Sequence, residues 1–423
     1  MRIVAALPAR GSLTGSADPV TVGDLIETVR RDGDAGVRAL TRRFDGVDVA
    51  DHRVPAAALA EAFGSLPVGE QEALRHALAN IRRVAEAQRG ALGAFEVEVE
   101  SGVFIGQRVL PIRRVACYVP GGRYPLPSTV LMTVVPARVA GCEEVVVISP
   151  PGPNGWPARH ILAAAWLAGA DAVHAVGGVQ AIAAAAWGTA TLGAVDLIVG
   201  PGNAWVTEAK RQVFGQVGID ALAGPSEVMV LADGRADAER VAADLLAQAE
   251  HDPDAEPILV TDSAALAAAV VAAVEAQLAD LPTADIARRS IATHGYVVLV
   301  ADLAAMIAVA NERAPEHLHL AIAAADAAAV AAACTACGAL FVGDDAPEVF
   351  GDYCSGSNHV LPTVGAARYT GGLGVHSFVR LGATQRVAPA AAAGLARTAA
   401  VIARVEGLEA HARAAELRAV AIR

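Results

Sequence analysis

From Val115 onward, short β-branched runs alternate with alanine-rich segments of helical length, and this rhythm constrains the fold more than any other feature. VACYVP, EVVVISP, AVHAVGG, LIVGPG and VMVLAD predict strands. PSTVLMTVVPARVAG, ARHILAAAWLAGA, VQAIAAAAWGTA and AWVTEAKRQVFG predict the helices between them. Such repetition implies right-handed crossovers and parallel sheets covered on both faces. A second series begins near residue 237, with EPILVTD, GYVVLVAD, LHLAI and ALFVG as its strands. Two α/β blocks follow. Upstream, TVGDLIETVRRDGDAGVRALTRRFDG and PVGEQEALRHALANIRRVAEAQRGAL carry apolar residues three and four apart, so the first hundred residues read as helical. The stretch after about residue 380 reads as helical too.

The 423 residues allow roughly two to three domains at about 150 residues each. A net charge of −12 opposes neutralisation of a phosphate backbone, so no nucleic-acid partner is expected. The start, MRIVAALPARGSL, is too short and too broken by Pro, Arg and Gly for a secretory signal. The apolar stretch AIAAADAAAVAAACTACGALFVG is mostly alanine and contains Asp326, which predicts a buried helix and strand and no membrane span. An odd set of five cysteines (Cys117, Cys142, Cys334, Cys337, Cys354) argues against a disulfide scaffold and for a reduced cytoplasm. Cys334 and Cys337 form a lone C-x-x-C that reads as small core residues.

No G-x-G-x-x-G fingerprint is present, but VPGGRYP, AVGGVQA, IVGPGNAWV and LAGPSEV each follow a strand. Glycine there lets backbone N–H groups approach an anion or ribose, and the carboxyl ends of parallel strands gather ligands. A shared crevice is expected at those ends.

RAPEHLHL sets Glu316 beside His317, directly after Pro315. The pair is either solvated or an acid and a base aimed at one small molecule. In DAERVAADLLAQAEHD, Gln248 and His251 lie three apart on one helical face, a spacing that suits two ligands of one ion. FGDYCSGSNHVLPT adds Asp352 and His359, and VEGLEAH adds Glu406, Glu409 and His411. Oxygen and imidazole donors without thiolate fit Zn²⁺, Mn²⁺ or Co²⁺ used to hold a substrate. His319 continues the strand and reads as packing.

AGPSEV, DLLAQAEHD, APEHLHL, GDYCSGSNHVLPT and GLEAHARAAELR, in this order, resemble the motifs of the histidinol dehydrogenase family. CYVPGG, GGVQAIA and VGPGN match as well, and the resemblance runs from about residue 20 to the end. It implies two incomplete Rossmann-like parallel-sheet domains with small helical terminal domains that interlock a homodimer. The implied boundaries are 1–20 for an extension of the terminal domains, 21–115 with 228–379 for the first domain, 116–227 for the second and 380–423 for a dimerisation tail.

The resemblance also implies oxidation of L-histidinol to L-histidine through bound histidinaldehyde, with two NAD⁺ and one Zn²⁺ per subunit. Gln248, His251, Asp352 and His411 would hold the zinc and contact the substrate, His411 being donated across the dimer interface. Ser226, His359 and Glu406 would complete the substrate contacts, and Tyr118, Gln180 and Asn203 would line the nucleotide site. His317 would be the general base and would also touch the substrate; Glu316 would activate water. Arg123, Tyr124 and ARYTGGLGV are similar to relatives that oxidise sulfonated propanediols, which leaves that substrate class as the alternative. A zinc hydrolase using Glu316 and a metal-bound water is the reading from another class.

Overall fold

The computed structural model describes residues 1–10, 17–121 and 124–419. Arg123 lies outside the described residues. In chain order the strands begin with β1 (Arg2–Val4), β2 (Phe95–Glu100), β3 (Val103–Pro111), β4 (Arg114–Tyr118) and β5 (Glu144–Ser149). Next come β6 (Ala172–Ala175), β7 (Leu197–Val199), β8 (Gly218–Ile219), β9 (Glu227–Ala232) and β10 (Glu256–Thr261). The series ends with β11 (Tyr296–Leu299), β12 (His317–Ala321), β13 (Ala339–Val342) and β14 (Val379–Val387).

The chain divides into two compact units. The first, residues 1–87 and 112–378, holds two parallel sheets of Rossmann-like form. The five-stranded sheet runs β6-β5-β4-β7-β8, and the six-stranded sheet runs β1-β11-β10-β9-β12-β13. All nine sequence-predicted strands are present as β4–β7 and β9–β13. β9 and β12 are buried along their whole length, as strands covered on both faces must be.

The helices start and stop for local reasons. Asp18 caps the helix Pro19–Asp32 by accepting from the N–H groups of Val20 and Thr21, with proline at the first turn. The next helix, Asp34–Asp45, ends at Gly46, which takes φ 71°. Among the described residues no helix is long and apolar enough to cross a membrane.

The second unit, residues 88–111 and 379–423, holds the antiparallel sheet β14-β3-β2 and the helices Pro389–Val405 and Glu409–Ala419. The helical reading of residues 95–100 and of the stretch directly after 380 is corrected here. FEVEVE alternates apolar and acidic side chains with period two, the signature of a strand with distinct faces, and VRLGATQRV pairs with β3 over its whole length.

Candidate active site

The site grows from the strand edge where β9 and β12 lie side by side, with His317 in register with Val228. RAPEHLHL explains its own geometry. Arg313 ends the helix Leu303–Arg313, Ala314 takes a left-handed conformation at φ 50°, and Pro315 forbids another turn. Glu316 therefore stands at the strand entrance and His317 opens β12. Both are buried, at 5% and 4% exposure.

Glu316 Oε2 accepts from the N–H of Glu227 at 2.9 Å. The Glu227 carbonyl lies 3.1 Å from His317 Nδ1. A carbonyl only accepts, so Nδ1 carries a proton and Nε2 is the atom that gains or loses the second one. Nε2 is buried without a hydrogen-bond partner and faces Asp352 Oδ1 at 3.4 Å. It is the open basic atom of the cluster.

The charges around it are lopsided. Burial pushes the Glu316 carboxyl up to about 8 against the pull of His317. Burial also lowers His317, but Glu316, Asp352 and Glu348 outweigh it and leave the imidazole raised. Glu348, one helical turn before Asp352, is buried with Oε2 unpartnered, and desolvation raises it well above the usual carboxyl range. Three carboxyl groups surround one imidazole.

Gln248 is buried near the end of the helix Ala238–Ala249, and His251 follows with an exposed edge. Lost hydration lowers His251 while Asp352 pulls it up, so the two groups are within electrostatic reach. Among the described residues, no group of three or more His, Cys, Asp or Glu is gathered closely enough to hold an ion. Glu406 and His411 belong to the second unit, where both are exposed. His359 is tied down twice: Nδ1 lies 2.9 Å from the Asp352 carbonyl and Nε2 lies 3.1 Å from Thr129 Oγ1. Ser226 is half-buried immediately before β9, and its carbonyl accepts from Glu256 N–H at 2.9 Å.

The three residues expected at a nucleotide site occupy the carboxyl edge of the five-stranded sheet. Tyr118 ends β4, and its buried hydroxyl, pushed up to about 12 by desolvation, accepts from Gly178 N–H at 3.2 Å. Gln180 is buried two residues further on and donates toward Asp45 at 3.4 Å. Asn203 follows β7 and caps the helix Ala204–Val213, its side-chain oxygen accepting from Trp205 and Val206. Gly200, at φ 108°, is required there because a Cβ would run into the Tyr118 carbonyl.

One expectation is corrected. Glu316, His317, Gln248 and His251 lie at the amino edge of the six-stranded sheet, not at its carboxyl edge. The carboxyl edge between β9 and β12 holds a separate cavity of about 200 Å³ lined by Asp233, Arg235, Ala323 and Asp344, where Asp233 accepts from Ala323 N–H at 2.9 Å and pairs with Arg235. Thr129, which holds His359, begins just beyond the carboxyl end of β4. The site thus joins the carboxyl edge of one sheet to the amino edge of the other. Residue types alone did not mark Glu227, Glu348, Thr129 or Arg10. All five cysteines are free, and burial raises the Cys334 and Cys337 thiols.

A model of the histidinol dehydrogenase family matches residues 11–419. The chain is 45% identical over 400 residues to a histidinol dehydrogenase of Methylococcus capsulatus, covering 94% of this chain and 91% of that one. It is 47% identical over 408 residues to the Thermus thermophilus histidinol dehydrogenase, covering 95% and 96%. A crystal structure of histidinol dehydrogenase from Elizabethkingia anophelis superposes with a TM-score of 0.91 at 34% identity, over 98% of this chain and 94% of that one.

Proposed function

Since the chain belongs to the histidinol dehydrogenase family, we propose that it oxidises L-histidinol to L-histidine through bound histidinaldehyde, reducing two NAD⁺. The observation that carries the chemistry is His317 Nε2, a buried ring nitrogen outside any hydrogen bond that faces Asp352 Oδ1 at 3.4 Å, beside a carboxyl whose proton affinity burial has raised. A base must reach its proton within hydrogen-bond distance and be free to take it.

In this reading His317 Nε2 removes the alcohol proton while its Nδ1–H stays on the Glu227 carbonyl. Glu316 then takes a proton from water as that water attacks the aldehyde carbon, and His317 returns its proton to the aldehyde oxygen, giving the hydrate and freeing Nε2. His317 takes the hydrate's hydroxyl proton in the second oxidation. NAD⁺, when bound, accepts the hydride of each oxidation, and Tyr118, Gln180 and Asn203 are the residues we assign to holding it.

The donors present fit a zinc ion shared between subunits. Gln248 offers an amide, His251 an imidazole and Asp352 a carboxylate, a mixed set with room for substrate. Among the described residues His251 and Asp352 are within electrostatic reach of each other, and we assign a further ligand to the partner subunit's His411 in a homodimer. Zinc, when bound, supplies Lewis-acid polarisation and a fixed grip on the substrate. A cation held by Asp352 would reduce the negative charge that His317 faces. Ser226, His359 and Glu406 are assigned to the substrate's polar groups.

The test is NADH formed per L-histidinol, with purified protein, excess NAD⁺ and zinc. A yield near two supports the four-electron course. No NADH from histidinol, with zinc loaded, overturns the substrate and directs the search to other small polar alcohols.

A further inference from the structure

We propose that the buried Arg10–Glu227 ion pair is a positioning lock that aims Glu316 and His317 together; the inference rests on the functional reading above. Glu227 touches both reacting side chains through its backbone. Its peptide N–H holds the Glu316 carboxyl at 2.9 Å, and its peptide carbonyl holds His317 Nδ1 at 3.1 Å. One residue's backbone thus sets both side chains, and whatever fixes Glu227 fixes the pair.

The Glu227 side chain is fixed from two directions. Arg10 Nη2 donates to Oε2 at 2.8 Å, and the N–H of Val364 donates to Oε1 at 2.7 Å. Arg10 Nη2 also reaches the carbonyl of Ala314 at 3.3 Å. Ala314 and Val364 are the two non-glycine residues with positive φ among the described residues, at 50° and 54°. A β-branched residue with positive φ is strained, and such strain persists only where the surroundings over-determine it. Both strained residues bond to the same ion pair. Ala314 stands two residues before Glu316, so the strain lies on the turn that presents the catalytic pair.

Little solvent reaches the pair to replace a lost partner. The side chains of Arg10 and Glu227 are 14% and 3% exposed, and Arg10 Nε has no hydrogen-bond partner. A second pair, Arg313 with Glu256, lies alongside, and Arg313 donates to the Pro8 carbonyl at 3.0 Å. Residues 8–10 are therefore stitched to the amino ends of β9, β10 and β12. A pair needed only for stability would not require its carboxylate to belong to the residue whose peptide grips both reacting groups.

The test uses the step that needs both groups. The first oxidation needs His317 alone, whereas hydration and the second oxidation need Glu316 and His317 in register. Arg10→Ala, in the full-length zinc-loaded enzyme, is expected to lower kcat about tenfold or more while leaving KM for histidinol within about threefold. The NADH yield is expected to fall below two, with histidinaldehyde captured by added semicarbazide, and millimolar guanidinium is expected to restore part of both losses. Partial unfolding would scale the two oxidations equally and release no aldehyde. A folded Arg10→Ala enzyme with unchanged kcat, or with lowered kcat and a yield still at two, overturns the proposal. Should Arg10→Ala fail to fold, Arg10→Lys is read by the same two measurements.

Wild-type protein is assayed first. If it makes no NADH from histidinol, the functional reading fails, and the lock is then judged on ¹⁵N-histidine spectra of wild type and Arg10→Lys. Loss of the His317 Nδ1–H tautomer in the variant supports it, and identical tautomers overturn it.

Discussion

His319, two residues beyond His317 on the same face of β12, holds Asp244, its Nδ1 lying 3.0 Å from Oδ2, while Nε2 lies 3.0 Å from the Gly343 carbonyl. What reads as simple strand packing in the sequence is a buried, fully bonded ion-pair site behind the base. Burial lowers His319, but Asp244 and the Gly343 carbonyl outweigh it, so the imidazole is raised above its ordinary value. The folded state therefore binds the extra proton more tightly. The stability this adds is complete below about pH 6.5, the unfolded value, and is lost as pH rises through the folded one.

His319→Asn is expected to destabilise the enzyme by on the order of 3 kcal/mol at pH 6, because Asp244 loses its buried partner. The deficit should shrink as pH rises. Chemical denaturation of both proteins from pH 6 to 9 checks it; a deficit that does not change with pH would show that His319 is neutral in the fold.

His174 predicts the opposite slope. Its Nδ1 lies 3.1 Å from His52 Nδ1, and His52 Nε2 lies 3.3 Å from Asp34, so two buried rings share one bridging proton. Burial first, then His52 and Arg53, pull His174 down to about 4, against the weaker pull of Asp51 and Asp34. A depressed value means stability that is complete above about pH 6.5 and is lost as pH falls through about 4. The full swing is worth at most about 3 kcal/mol. His174→Asn should flatten the wild-type loss of stability between pH 6.5 and 4.5. Urea midpoints across that window decide it, and a variant with the wild-type slope would rule His174 out as the source.

Several features were legible in the residues because their physics is local. β-branched runs marked the buried parallel strands, and Glu316–His317, Gln248, His251 and Asp352 stood out as residue types that carry proton and metal chemistry. FEVEVE was legible as well: Phe95, Val97 and Val99 alternate with three glutamates, and the pattern was masked only by the helical run before it. The lock was not legible. Arg10 meets Glu227 across 217 residues of chain, and nothing local distinguishes it from other arginines in a chain with a single lysine. The amino-edge location also escaped, because nothing local in RAPEHLHL says which end of the parallel sheet its glutamate and histidine face.

Thr129 Oγ1 and His359 Nε2 tie the helix after β4 to the loop carrying His359. His359 Nδ1 is committed to the Asp352 carbonyl, so the hydroxyl is the donor to Nε2. Thr129→Val removes that donor at nearly constant volume. One hydrogen bond is worth about 1 kcal/mol, so KM for histidinol is expected to rise roughly fivefold with kcat little changed. Thr129→Ser should restore it, and steady-state kinetics of the two variants give the answer. An unchanged KM in Thr129→Val would remove His359 from substrate binding.

Gly338 puts the aim of Glu316 to a steric test. A Cβ built there lies 2.6 Å from the Glu316 carbonyl oxygen, 3.1 Å from Pro362 Cδ and 3.3 Å from Leu361 Cβ. The carbonyl cannot retreat freely, since Ala339 N–H holds it at 2.8 Å and Gly338 N–H holds the Pro315 carbonyl at 3.0 Å. Relief has to come from moving the Glu316 peptide, which carries its carboxyl and the start of β12 with it. A displacement of about 1 Å at a reacting group costs on the order of a hundredfold in rate. Gly338→Ala is expected to lose kcat on that scale and about 1–3 kcal/mol of stability from overpacking. Gly371→Ala, where nothing lies within 4 Å of the new methyl, should match wild type in both. If Gly338→Ala keeps wild-type kcat, the strand entrance yields without turning Glu316, and the rigidity assigned to that edge is wrong.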